Sequence, residues 1–115
     1  MNKSDKKIEK QIISTLTEAC HILSDSIEGF EWLTHMVDYR HYPDSLLVVC
    51  IFDNDQSLSK AIQEHQDSFL RSLITEKLQA INVPVKNSRK QITFDTEEAC
   101  DRHHGGNWSR RFESY

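Results

Sequence analysis

The stretch Leu46–Phe52, LLVVCIF, contains no polar residue. A strand with one face on a core and one in water alternates, whereas a strand covered on both faces is apolar throughout. LLVVCIF therefore reads as a central strand, and the rest of the chain must supply two layers to cover it. Just before it, Pro43-Asp44-Ser45 is turn chemistry. Further back, GFEWLTHMVDY (29–39) is rich in aromatic and β-branched residues. Two strands joined as a hairpin, with RHYPDS as the connection, is the simplest reading.

The covering layers are expected to be helices. Ile8, Ile12, Leu16, Ala19, Leu23 and Ile27 recur every three or four positions and predict a helix over about 4–26, with Ser4 as its cap and Gly29 as its break. Leu58, Ala61, Ile62, His65, Phe69, Leu73, Ile74, Leu78 and Ile81 predict one helix over about 54–81, and Pro84 forbids its continuation. Val83 and Val85, the turn KNSRK (86–90) and Gln91–Phe94 suggest a second, shorter hairpin. A final helix starts near Thr96 and stops at Gly105-Gly106. FDNDQ (52–56) and FDTEE (94–98) each carry an aspartate three residues before Gln56 or Glu98, which predicts Asp53 and Asp95 as reciprocal caps. The expected architecture is α+β in the order α-β-β-α-β-β-α, one domain over 1–115, with helices on a small, mostly antiparallel sheet.

Composition narrows the function classes. Hydrophobic content of 37% with clear periodicity argues for a folded domain rather than a disordered chain. The basic start MNKSDKKIEK has no apolar segment behind it, and no apolar run reaches membrane-spanning length. A cytoplasmic protein without membrane contact is expected. Cys20, Cys50 and Cys100 are odd in number and far apart, which fits reduced thiols. The net charge of −4 weighs against bulk polyanion binding, but it is unevenly spread: residues 1–10 carry +2, 86–90 carry +3, 100–115 carry +1, and the remainder −10.

Chemistry-bearing residues concentrate in FDTEEACDRHHGGNWSRRF (94–112). Cys100 and His103 stand three apart on the expected helix, with His104 beside them, and are the weak candidates for metal ligands. Two or three donors with no second Cys/His pair fall short of a closed site, so no metal or other cofactor is expected. Cys50 lies in an apolar strand that disfavours a thiolate. With glycine only at 29, 105 and 106, no phosphate-binding loop, dinucleotide fingerprint or nucleophile elbow can be built. No catalytic residue is assigned, and the chain is expected not to be an enzyme. The cluster reads instead as a capped helix, a glycine stop and an aromatic anchor in Trp108 and Phe112.

Two binding readings remain. Tyr39, Arg40, His41 and Tyr42, at the expected hairpin tip, are the residue types that dominate protein interfaces. The leading expectation is a non-catalytic binding or regulatory protein that meets a protein partner there or at the basic C-terminal end. Alternatively, Lys86, Arg89, Lys90, Arg102, Arg110 and Arg111 gather into a basic patch with Trp108 as a stacking surface for nucleic acid.

GFEWLTHMVDY, DSLLVVCIF and FDTEEACDRHHGGNWSRRF together resemble a small family of gamma-proteobacterial proteins, some labelled "Fis family transcriptional regulator". The likeness spans nearly the whole chain and is most specific in the C-terminal block. The label implies a nucleic-acid-associated regulator. Fis regulators are helical dimers with a basic C-terminal helix-turn-helix, and this chain departs from them in its strands, its acidic balance and its tail. The resemblance carries no catalytic residue over.

Overall fold

The computed structural model describes all 115 residues. The elements run α1 (Lys3–Ser26), β1 (Phe30–Met36), a 3-10 turn (Tyr39–His41), β2 (Leu47–Phe52), α2 (Asp55–Gln63), α3 (Gln66–Ala80), α4 (Ser88–Gln91), β3 (Ile92–Thr96), α5 (Glu97–His104) and α6 (Trp108–Phe112). The class is α+β, with helices around a three-stranded mixed sheet of order β1-β2-β3. No helix is long and apolar enough to cross a membrane.

LLVVCIF holds the centre of the sheet. On one face, Val48, Cys50 and Phe52 join Ile92, the α1 stripe Ile12, Leu16, Ala19, Leu23 and Ile27, and Leu70, Ile74 and Leu78 of α3 in a single core. On the other face, Val49 and Ile51 are equally buried. Ile51 lies between its cross-strand partners Trp32 of β1 and Asp95 of β3, which hold the C-terminal arm. The continuous apolar run thus has its physical cause: both faces are roofed, so neither tolerates a polar side chain.

Three expectations are corrected. The helix expected over 54–81 is two helices, because His65 takes a left-handed conformation (φ 61°) between α2 and α3. Ala61 before the break and Leu70 after it both feed the core, so the apolar period runs on although the axis turns. Ile62, His65 and Phe69, placed on the apolar face by that period, are left exposed around the corner.

The second hairpin does not form. Val83–Val85 forms no strand, although Val83 plugs the core, and KNSRK leads into α4 rather than a turn between strands. β3 enters alongside β2 in the same direction, after the α2–α3 crossover that a parallel pair requires. The sheet therefore holds one antiparallel and one parallel pair.

The caps also move. Asn2, not Ser4, caps α1, in a reciprocal box with Asp5. Asn54 and Thr96, not Asp53 and Asp95, cap α2 and α5, because the ladder extends as far as the Phe52–Thr96 pair. Gly105 (φ 58°) and Gly106 (φ 82°) end α5 as expected, their amides closing on Asp101 and Cys100 carbonyls.

Gly29, between α1 and β1, is held by two constraints at once. Its φ is +87°, and a Cβ there would stand 2.5 Å from the Ser57 Cβ at the start of α2. Gly29→Ala should lower stability by about 2 kcal/mol or more in urea unfolding. Adding Ser57→Gly should recover only part of that loss, because the Asp53 Oδ1 contact at 3.0 Å, the backbone strain and the cost of a glycine in α2 remain.

Candidate functional site

The hairpin tip is built around Asp38. Its carboxylate accepts from the Arg40 amide at 3.0 Å, from Arg40 Nε and Nη2 at 3.2 Å each, and contacts His41 Nδ1 at 3.2 Å. Those bonds, the Arg40 side chain first, hold the Asp38 carboxyl well below the usual carboxylate range. Ser45 Oγ accepts from the Asp38 amide at 3.0 Å and donates to its carbonyl at 2.8 Å, tying the two ends of the turn together. Tyr39 donates its hydroxyl to Glu9 of α1 at 2.7 Å and stacks on Tyr42 with ring centroids 5.7 Å apart. Burial, and then the Glu9 carboxylate, push the Tyr39 phenol up, so it stays a donor. The four residues picked from sequence therefore divide. Tyr39 and Tyr42 are half-buried braces, while the Arg40 and His41 side chains stand 86% and 74% exposed.

The parallel pair brings a second segment to this tip. Since β2 and β3 run the same way, the chain enters both at one end of the sheet. Gln91 is buried there and donates Nε2 to the carbonyls of Leu46 (3.2 Å) and Pro43 (3.4 Å), while Lys86 pairs with Asp44 at 3.3 Å. Met1, Asn2 and Asp5 line an open cleft of about 660 Å³ with Val37, Asp38, Tyr39 and Arg40. The segments that meet at this end carry Lys3, Lys6, Arg40, Lys86, Arg89 and Lys90 against Asp5, Glu9, Asp38 and Asp44, a net +2.

The basic residues of the C-terminal block lie elsewhere, at the exit end of β3. Arg111 forks onto Asp95 through Nε (2.6 Å) and Nη2 (2.8 Å), and its Nη1 donates to the Ala99 carbonyl and to His104 Nδ1 at 3.3 Å each. The Tyr115 hydroxyl also donates to Asp95. Arg102 pairs with Asp55 at 3.1 Å. Glu97 accepts from two indoles on one oxygen, Trp32 at 2.8 Å and Trp108 at 3.0 Å. Trp108 meets Trp32 edge-on at 5.2 Å and Phe112 at 5.3 Å. The set proposed for nucleic acid is therefore divided: Lys86, Arg89 and Lys90 sit before β3, and Arg102, Trp108, Arg110 and Arg111 sit after it. Of the latter four, Arg110 alone is exposed without a side-chain partner.

Cys100, His103 and His104 do not converge. Cys100 is fully buried, and burial raises its thiol. His103 is exposed, taking a bond from Arg102 Nε at 3.4 Å, and His104 turns to Arg111. No three His, Cys, Asp or Glu side chains are grouped to hold one ion. The Cys50 thiol is likewise pushed up by burial.

Sequence reading missed Glu9, Asp38, Asp95 and Glu97 as the organising acids. Only Asp95 carried a signal, as an expected helix cap, and its actual partner is 16 residues away. Burial raises the Asp95 carboxyl, but bonds from Arg111, Tyr115 and the Thr96 amide outweigh it and hold the group below its ordinary value. A depressed carboxylate contributes stability above its unfolded pKa of about 3.9 and loses it as pH falls through the folded value. Acidification should release the arm and shift Trp emission to the red. Arg111→Met should cost about 3 kcal/mol, by leaving the buried carboxylate unpaired, and move that transition to higher pH. No family model, curated protein or solved structure matches the chain, so its own geometry carries the functional reading.

Proposed function

We propose that the chain is a non-catalytic binding protein of the cytoplasm that meets an acidic protein surface through Arg40 and His41. One observation supports this above the others. The two exposed side chains stand on a turn already held by Asp38, Ser45 and the Tyr39–Glu9 bond. A loop ordered before contact loses little conformational freedom on binding, and arginine at such a site is a frequent energetic anchor. The surrounding Lys3, Lys6, Arg89 and Lys90 favour carboxylate-rich partners by long-range attraction.

Arg40→Ala with His41→Ala removes their side-chain bonds to Asp38 but keeps the Arg40 amide bond, the Ser45 tie and the Tyr39–Glu9 brace, so the fold should hold, with an unchanged urea midpoint as the check. Capture from lysate with the wild-type chain and with this variant should differ by specific proteins. Their measured affinities should fall about tenfold or more for the variant, the mark of an anchor worth over about 1 kcal/mol. Identical captures and affinities would remove the reading.

A second reading is nucleic-acid association of the transcription-regulator kind. It is favoured by Lys86 lying beside the tip on Asp44, with Arg89 and Lys90 following it in α4. Binding to a mixed-sequence duplex should then weaken steeply with salt, and Arg89→Glu with Lys90→Glu should abolish it. No binding at low salt would end this reading. A loss on Arg111→Ala is not a test of it, because that arginine is committed to Asp95.

A further inference from the structure

The two edges of the sheet are treated differently. At β3, Arg71 donates Nε and Nη2 to the Ile92 carbonyl at 3.3 Å each, and its guanidinium lies 4.6 Å over the Phe94 ring. A side chain thus occupies that edge at Ile92 and Phe94. At β1, every main-chain hydrogen bond of Glu31–Met36 goes to β2, and no side chain bonds the remaining amides and carbonyls. An unprotected edge is a template for another strand, and proteins that do not use one blunt it.

A groove of about 360 Å³ runs along this edge between α1 and β1, lined by Ile13, Leu16, Thr17, Cys20, Leu33 and His35 among others. Ile13 stands on its lip, 49% exposed. A free strand edge beside an apolar groove is the arrangement that accepts an added strand together with the side chains it carries.

We propose that the occupant is a second copy of this chain, added antiparallel through β1 and α1 about a two-fold axis. The charge along α1 selects this partner. Lys3, Lys6, Lys7 and Lys10 crowd its first turns, against Asp5 and Glu9, whereas its later turns, Ser14–Ser26, hold Glu18 and Asp25 with no Lys or Arg. Lys6, Lys10, Ile13, Thr17, His21 and Ser24 follow helical spacing along the ridge beside the groove. An antiparallel pair of α1 helices centred on Thr17 brings Lys10 of one copy beside Asp25 of the other, and Lys6 toward the turn after α1 that carries Glu28, which Lys60 of its own chain meets at 3.6 Å. A parallel pair would set lysines against lysines. Antiparallel addition of β1 centred on Leu33 pairs Trp32 with Thr34 and keeps the core-facing side chains of both copies on one face. Thr17 and Leu33 line the same groove, so one axis serves strand and helix together. The interface is self-complementary, as a two-fold contact must be, and makes a continuous six-stranded sheet.

Sedimentation equilibrium of the full chain tests this. The wild type at about 50 μM should run at twice the 13.5 kDa chain mass. Ile13→Glu should run as a monomer with an unchanged helical signal by circular dichroism, since Ile13 is half exposed. Thr17→Cys in a Cys20→Ala background should form a covalent dimer on mild oxidation, while Ile62→Cys in that background should not. A monomeric wild type, a dimer that survives Ile13→Glu, or equal cross-linking at Ile62→Cys would each overturn the proposal.

Discussion

β3 lies alongside β2 from Ile92 to Thr96 and runs in the same direction. That direction decides which parts of the chain meet. The two segments that enter the strands, the Asp38–Ser45 turn and the Asn87–Gln91 turn, are forced to one end, where Gln91 joins them through the Leu46 and Pro43 carbonyls. The two helices that leave the strands, α2 and α5, start together at the other end. There the Asp55 carboxylate accepts from the Thr96 hydroxyl at 2.6 Å and from Arg102, while Glu98 accepts from the Asp55 amide at 3.0 Å. Had β3 run antiparallel, each of these pairs would be split across the length of the sheet.

The charge of the molecule follows from this arrangement. The exit end carries Asp53, Asp55, Asp95, Glu97 and Glu98 around two helix starts, where the dipole and unpaired amides favour carboxylates. The entry end collects lysines and arginines that are far apart in sequence. An acidic chain thus acquires a basic face without changing its total, with Arg40 and Lys86 of that face paired to Asp38 and Asp44. The C-terminal arginines, by contrast, are spent mainly on acids of the exit end.

Asp95 and Arg111 illustrate how a buried ion pair specifies geometry more than it adds stability. Taking both charges out of water offsets much of their attraction. What the pair contributes is direction: a bidentate fork admits one placement of α6 over Ile51, and the two indoles on Glu97 fix it from the other side. Trp108 and Phe112 then pack on Trp32, the cross-strand neighbour of Ile51, on the face that buries Val49 and Ile51.

Local pattern was enough to identify LLVVCIF as the middle of a sheet, the α1 stripe from Ile12 to Ile27 as a buried helix face, and Gly105-Gly106 as a helix stop. In each case one residue type has one inexpensive local solution. The left-handed break at His65 carried no glycine or proline to announce it, so a continuous apolar period hid it. The five residues of β3 read the same in either direction, and whether they pair parallel or antiparallel depends on where the α2–α3 crossover returns the chain. The division of Lys86, Arg89 and Lys90 from Arg102, Arg110 and Arg111 follows from that return. Residue character and helix faces belong to the sequence alone; strand direction, and with it the assembly of the basic end and the seating of the C-terminal arm, belongs to tertiary packing, because it is settled by contacts between residues tens of positions apart.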